Sequence, residues 1–156
     1  MPTFDSDATA AADPFVRRKR TSAVRAEAPI VAAVAAGGAI GATARYAVAV
    51  LVPTPAGAFH WTTVGINISG CALMGALMVA ITELWVGHRL LCSFLGTGLL
   101  GGYTTFSTFA GDVDGLAVTH PLPPAMLYLV VTPVAALIAT WTAAATTRRL
   151  LLRRIS

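Results

Sequence analysis

Charge is what this sequence has least of. Only 12% of its 156 residues are Asp, Glu, Lys or Arg, too few for the surface of a soluble domain, while 56% are hydrophobic and the mean hydropathy is +0.72. A water-soluble globule is excluded, and a bilayer is the solvent that fits. The same scarcity weakens any catalytic reading. Carboxylates are few, His60, His88 and His120 lie far apart near segment ends, and no nucleophile stands at a suggestive spacing from a general base. Cys71 and Cys92 have neither metal-ligand spacing nor a clear disulfide context, so they read as small packing residues. An enzyme is not indicated.

What is present is apolar sequence in long runs. Four segments, Ile30 to Val52, Thr62 to Leu84, Leu90 to Gly111 and Ala125 to Thr147, each approach the roughly 20 residues that a helix needs to cross about 30 Å of hydrocarbon. Their connectors are PTPAGAFHW, VGHR and DVDGLAVTHPLPP, with turn-forming prolines in the first and last. The expected organisation is an unstructured basic leader over residues 1–28, a four-helix membrane domain over 29–147 and a basic cytoplasmic tail over 148–156. A secretory signal is disfavoured, because the first apolar run exceeds the roughly 7 to 15 residues of a signal core.

Basic residues are missing from one side altogether. Arg17, Arg18, Lys19, Arg20 and Arg25 precede the first segment, Arg89 lies between the second and third, and Arg148, Arg149, Arg153 and Arg154 follow the fourth. Four crossings put all of these on one face, which places both termini in the cytoplasm. The pI near 9.7 then reports topology and attraction to lipid; a nucleic-acid surface is the poorer account.

Polar groups inside the apolar segments are costly in lipid and usually face a protein interior or an aqueous path. In the first, Gly37, Gly41 and Arg45 recur every four residues, a smooth stripe ending in a cation that either snorkels, pairs structurally or attracts an anion. In the second, Asn67, Gly70, Cys71 and Met74 share a face, with Asn67 placed for an interhelical hydrogen bond or for solvating a dehydrated anion. The third contains GGYTTFSTF at residues 101–109. Adjacent Gly101 and Gly102 predict a broken helix there, with carbonyls freed for protein, water or a cation. Beyond it Phe106 and Phe109 lie on one face with Ser107 and Thr108 beside them; ring edges are electropositive, so the pair is read either as packing or as an uncharged lining for an anion path. In the fourth, Tyr128 and Thr132 occupy one stripe, although Tyr128 also suits an interfacial belt.

GGAIGATARY (residues 37–46), NISGCALMG (67–75) and GGYTTFSTF (101–109), in this order across four helices, resemble the small fluoride channels of the Fluc, or CrcB, family. The resemblance covers essentially everything after the leader, and the third motif is the most specific. It implies an all-α bacterial plasma-membrane protein, built as an antiparallel dual-topology dimer with two fluoride pores and a structural, untransported Na+. Carried over, Phe106 and Phe109 line the pore, Asn67 is the pore asparagine, and Ser107, Thr108 and Tyr128 are polar groups along the track, with Thr132 added by helix position. Gly101 and Thr104 lend backbone carbonyls to sodium. The chain departs from the family at Thr62, where Gly is common, and at Ala110, Gly111 and Asp112, where a second Ser and a Glu are common.

Two other functions compete. A small multidrug-type antiporter needs a buried carboxylate, and the first segment has none between Ile30 and Val52. A purely structural membrane subunit needs the small-residue faces but not the Phe and hydroxyl array. The one-sided charge also bears on assembly: a chain biased to one orientation favours an antiparallel heterodimer with a second homologous subunit over a homodimer.

Overall fold

The computed structural model describes residues 14–55, 58–83, 88–119 and 122–155, and every regular element among them is helical. Helix α1 runs from Pro14 to Leu51 and α2 from Trp61 to Glu83. Helix α3, Arg89–Cys92, passes directly into a π-helix, π1, Ser93–Leu100, and then into α4, Gly101–Tyr103. Thr104, Thr105 and Phe106 are not helical; α5 follows over Ser107–Thr119 and α6 over Leu122–Ile155.

Among the described residues, three helical stretches are long and apolar enough to cross a membrane: Glu27–Leu51, Trp61–Glu83 and Pro123–Arg153, with mean hydropathies of 1.4, 2.0 and 1.8. In lipid the backbone must satisfy itself, which is why apolar sequence of this length becomes helix. The many threonines fit the same rule. Thr43, Thr140, Thr142 and Thr146 each donate a hydroxyl to the carbonyl four residues earlier, at 2.7 to 3.0 Å.

Several boundaries differ from expectation. Residues 14–28, expected to lack structure, continue α1; Ala, Arg, Lys and Glu dominate there and extend a helix that the apolar segment has already nucleated. Residues 1–13 lie outside the described residues. The DVDGLAVT part of the third connector is the body of α5, and the basic tail is the last turns of α6 as far as Ile155.

The expected break at Gly101-Gly102 is a correction. Both glycines are helical, and the interruption falls at Thr104–Phe106. The glycines serve packing instead. A Cβ on Gly37 would overlap the Phe94 carbonyl oxygen and stand 2.8 Å from the Leu99 nitrogen, and one on Gly102 would stand 3.0 Å from the Gly38 Cα. Helix α1 therefore meets π1 and α4 backbone to backbone, the close approach that small residues permit.

Helix α1 packs chiefly on π1 and α4, and α2 packs chiefly on α6. The interruption moves the third segment from the first pair to the second, since α5 packs on α6. A compact core forms where it arrives: Val64, Phe109, Leu116, Ala125 and Tyr128 are buried together, with Phe59, Ile68 and Val113 against them. Most other large apolar side chains face outward, as a bilayer or a second subunit requires.

Candidate functional site

The site is built around the interruption. At Thr104 the backbone turns extended (φ −73°, ψ 157°), while its N–H and Oγ1 both donate back to the Leu100 carbonyl at 3.0 Å. Thr105 would continue the helix by donating its N–H to the Gly101 carbonyl. Instead that N–H donates to Asn67 Oδ1 at 2.9 Å, and Asn67 Nδ2 donates to the Thr105 carbonyl at 3.1 Å. One buried amide thus replaces two lost helical bonds. Thr105 Oγ1 accepts the Thr108 N–H at 3.1 Å, the capping bond that starts α5.

Arg45 closes the other side. Its Nε donates to the Gly102 carbonyl at 3.3 Å, and Nη1 reaches Thr108 Oγ1 at 3.5 Å. A cation at the C-terminal end of α4 meets the negative end of that segment's dipoles. Among the described residues no carboxylate lies within salt-bridge distance of Arg45. The guanidinium therefore stands without an acidic partner among the described residues.

Two cavities meet at Thr105, which lines both. The first, about 220 Å³, is bounded by Asn67, Cys71, Phe106, Phe109 and Thr132, with Pro133 and Ala136 behind. The second, about 340 Å³, carries Arg45, Thr54, His60, Thr62, Thr63, Thr108 and Asp112. Its lining is richer in hydroxyls and holds both a cation and a carboxylate. Thr132 is buried and its Oγ1 has no protein partner among the described residues. A buried hydroxyl beside a cavity, still holding its hydrogen-bonding capacity, is a place for water or an ion.

The two phenylalanines are placed very differently. Phe109 is 7% exposed and stacks on Tyr128, centroids 5.4 Å apart at 28°; Phe106 is 80% exposed and tilts against Phe109 at 5.7 Å. Tyr128 is wholly buried, lines neither cavity, and donates its hydroxyl to Asp112 Oδ2 at 3.0 Å. It supports the wall behind Phe109. Ser107 is exposed, outside both cavities, with Oγ 3.3 Å from Thr105 Oγ1.

Of the residues expected from sequence, Asn67, Thr104, Phe106, Phe109 and Thr132 come together at the first cavity, and Arg45 and Thr108 at the second. Sequence reasoning missed Thr105, the joint between them. Its signal was available, because Thr105 stands three residues before Thr108, the spacing of a helix cap. His60 and Asp112 were also missed as a pair; His60 Nε2 lies 3.6 Å from Asp112 Oδ1. Nothing in the local sequence around either residue suggests that contact, because it joins the connector before α2 to α5, whereas Asp112 on the Phe109 face of α5, at i, i+3, was legible.

The family model for CrcB-like protein, Camphor Resistance (CrcB), matches residues 32–144. The chain is 54% identical to fluoride-specific ion channel FluC 1 of Streptomyces coelicolor, over 81% of this chain and 82% of that one. It is 52% identical to fluoride-specific ion channel FluC 2 of Streptomyces avermitilis, covering 73% and 72%, and 42% identical to FluC 2 of Thermobifida fusca, covering 79% and 91%. The match spans every element that builds the two cavities, from the glycine stripe of α1 to the Thr132 face of α6, and the chain belongs to the CrcB family.

Proposed function

We propose that this chain is a subunit of a fluoride-specific channel in a bacterial plasma membrane, letting fluoride leave the cytoplasm passively down its electrochemical gradient. The observation that carries the reading is 54% identity, across four-fifths of the chain, to a protein named for that activity. The site supports it. Arg45 raises the local anion concentration in the second cavity, threonine hydroxyls replace part of the hydration shell, and Asn67 offers its second Nδ2 hydrogen beside the Phe-lined first cavity. Phe106 and Phe109 present uncharged, electropositive edges that stabilise a small anion without trapping it. No bond is made or broken, so the protein is a channel and not an enzyme.

An antiparallel dimer completes the path in this reading: Phe106, 80% exposed, covers its ring only against a second subunit. Sodium fits the interruption. With the Thr105 N–H held by Asn67, the Gly101 carbonyl is released from its helical partner, and with Thr104 it supplies neutral, hard oxygen ligands. A sodium ion held by these oxygens would supply a fixed positive charge there. The charge bias favours cytoplasmic termini and a heterodimer over a homodimer.

The antiporter reading is weaker still at the site, because the partly buried carboxylate, Asp112, is engaged by Tyr128 and His60. Fluoride efflux from liposomes containing the purified chain, with its homologous partner if one is required, tests the proposal. Rapid fluoride loss with negligible chloride loss is expected. Equal flux of both anions, or proton-coupled transport of an organic cation, would reject it.

A further inference from the structure

A third cavity lies at the far end of the α2–α6 pair. Helices α2 and α6 touch where a Cβ on Gly75 would overlap the Thr140 carbonyl, and beyond that contact they part around a groove of about 520 Å³. It is lined by Val79, Trp141, Ala144 and Ala145, and by Arg148 and Arg149 one turn further along α6.

The depth of the groove follows from helix length. Helix α2 spans 23 residues, about 34 Å, so it ends near one membrane surface at Glu83, whose Oε1 lies 4.0 Å from Arg148 Nε. Arg148 and Arg149 therefore stand at headgroup level, and Trp141, seven residues earlier, lies about 10 Å deeper. Trp141 is 73% exposed, and among the described residues Arg149 has no carboxylate within salt-bridge distance. Cationic forks above an apolar, tryptophan-walled trough match one occupant: a phosphate ester carrying acyl chains.

We propose that the α2–α6 groove binds an anionic phospholipid, its phosphate on Arg148 and Arg149 and an acyl chain along Trp141, Ala144 and Val79. The proposal rests on the membrane-spanning placement of α2 and α6 and not on fluoride conduction. The small residues leave room for the chain, and Glu83, 4.0 Å from Arg148, neutralises only part of the arginine charge.

The test uses the full chain carrying Trp61→Phe and Trp85→Phe, reconstituted in phosphatidylcholine vesicles with a minority of phosphatidylglycerol, bromine being placed on the acyl chains of one lipid or the other. Brominated phosphatidylglycerol is expected to quench Trp141 as if enriched about fivefold over its bulk fraction, the factor one basic group contributes at an anionic surface. Arg148→Gln with Arg149→Gln should remove the enrichment, and Arg153→Gln, outside the groove, should keep it. Native mass spectrometry of the unsubstituted chain should retain the same lipid. Quenching in simple proportion to bulk composition overturns the proposal, as does equal loss in Arg153→Gln. Absence of quenching by either lipid also overturns it, since a second protein chain then covers the groove.

Discussion

Asn67 is a clamp before it is anything else. Its amide holds both backbone groups of Thr105, so Asn67→Ala leaves a partly buried N–H and carbonyl without partners, at about 1 kcal/mol each, the low end of the cost of an unsatisfied group. Lowered midpoint temperature in detergent and loss of flux together are the expected result. Asn67→Asp separates the two roles: it keeps the acceptor for the Thr105 N–H, loses the donor and adds a negative charge. Fluoride flux should fall at least about tenfold, the equivalent of roughly 1.4 kcal/mol in the barrier, in protein that still assembles. Unchanged flux in Asn67→Asp would remove Asn67 from the anion path. The phenylalanines divide in a similar way. Phe109→Ile loses its stack on Tyr128, about 0.5 to 1.5 kcal/mol beyond burial, whereas Phe106→Ile should alter subunit stability by less than about 0.5 kcal/mol. Both should sharply reduce fluoride efflux, and wild-type flux in both would reject the pathway.

At the scale of the elements, the glycine-to-glycine seam between α1 and the π1–α4 stretch fixes where the interruption sits. Gly41→Ala would drive a methyl into the Leu99 carbonyl and bring it 2.8 Å from the Tyr103 nitrogen, against rigid backbone on both sides. The seam must open, at about 1 to 3 kcal/mol, and Arg45, one turn further along α1, must withdraw from Gly102. Gly115→Ala in α5 meets nothing within 4 Å and should instead be neutral or gain up to about 1 kcal/mol. Denaturation in detergent compares the two directly. This seam is also where sequence reading stopped. The motif GGYTTFSTF signalled an interruption by its composition, yet glycine weakens a helix only when nothing else holds it. Gly101 N–H bonds to Gly96 and Gly98 within the π-helix, and α1 buttresses Gly102, so the chain yields three residues later, where Asn67 offers the backbone new partners.

For the whole molecule, the unmatched ring of Phe106 and the outward apolar faces point to assembly, and two measurements address it. If the proposed sodium site and dimer exist, replacing sodium with a large organic cation should weaken assembly or flux, because an ion bound only by the assembled form stabilises that form. A thoroughly sodium-exchanged preparation that keeps both would show the carbonyls of Gly101 and Thr104 to be otherwise satisfied. Topology reporters fused after Ser156, with the chain expressed alone, should read almost wholly cytoplasmic. Strong signal from both sides, with fluoride flux from the single chain, would establish a homodimer.

Hydrophobic run length and the scarcity of charge within those runs determined by themselves that this chain lives in a membrane as helices, and three ordered motifs determined its family. Those are properties of single segments, set by transfer of side chains and backbone out of water. Only the tertiary structure decided that Asn67 faces Thr105, that Arg45 caps Gly102 and not a carboxylate, that Tyr128 stands behind the wall, and that His60 meets Asp112. Each pairs residues on different helices, and which faces meet depends on where two backbones can approach. For the α1 seam those points are the glycines Gly37, Gly38 and Gly41, which meet π1 and α4 through contacts that no single segment contains.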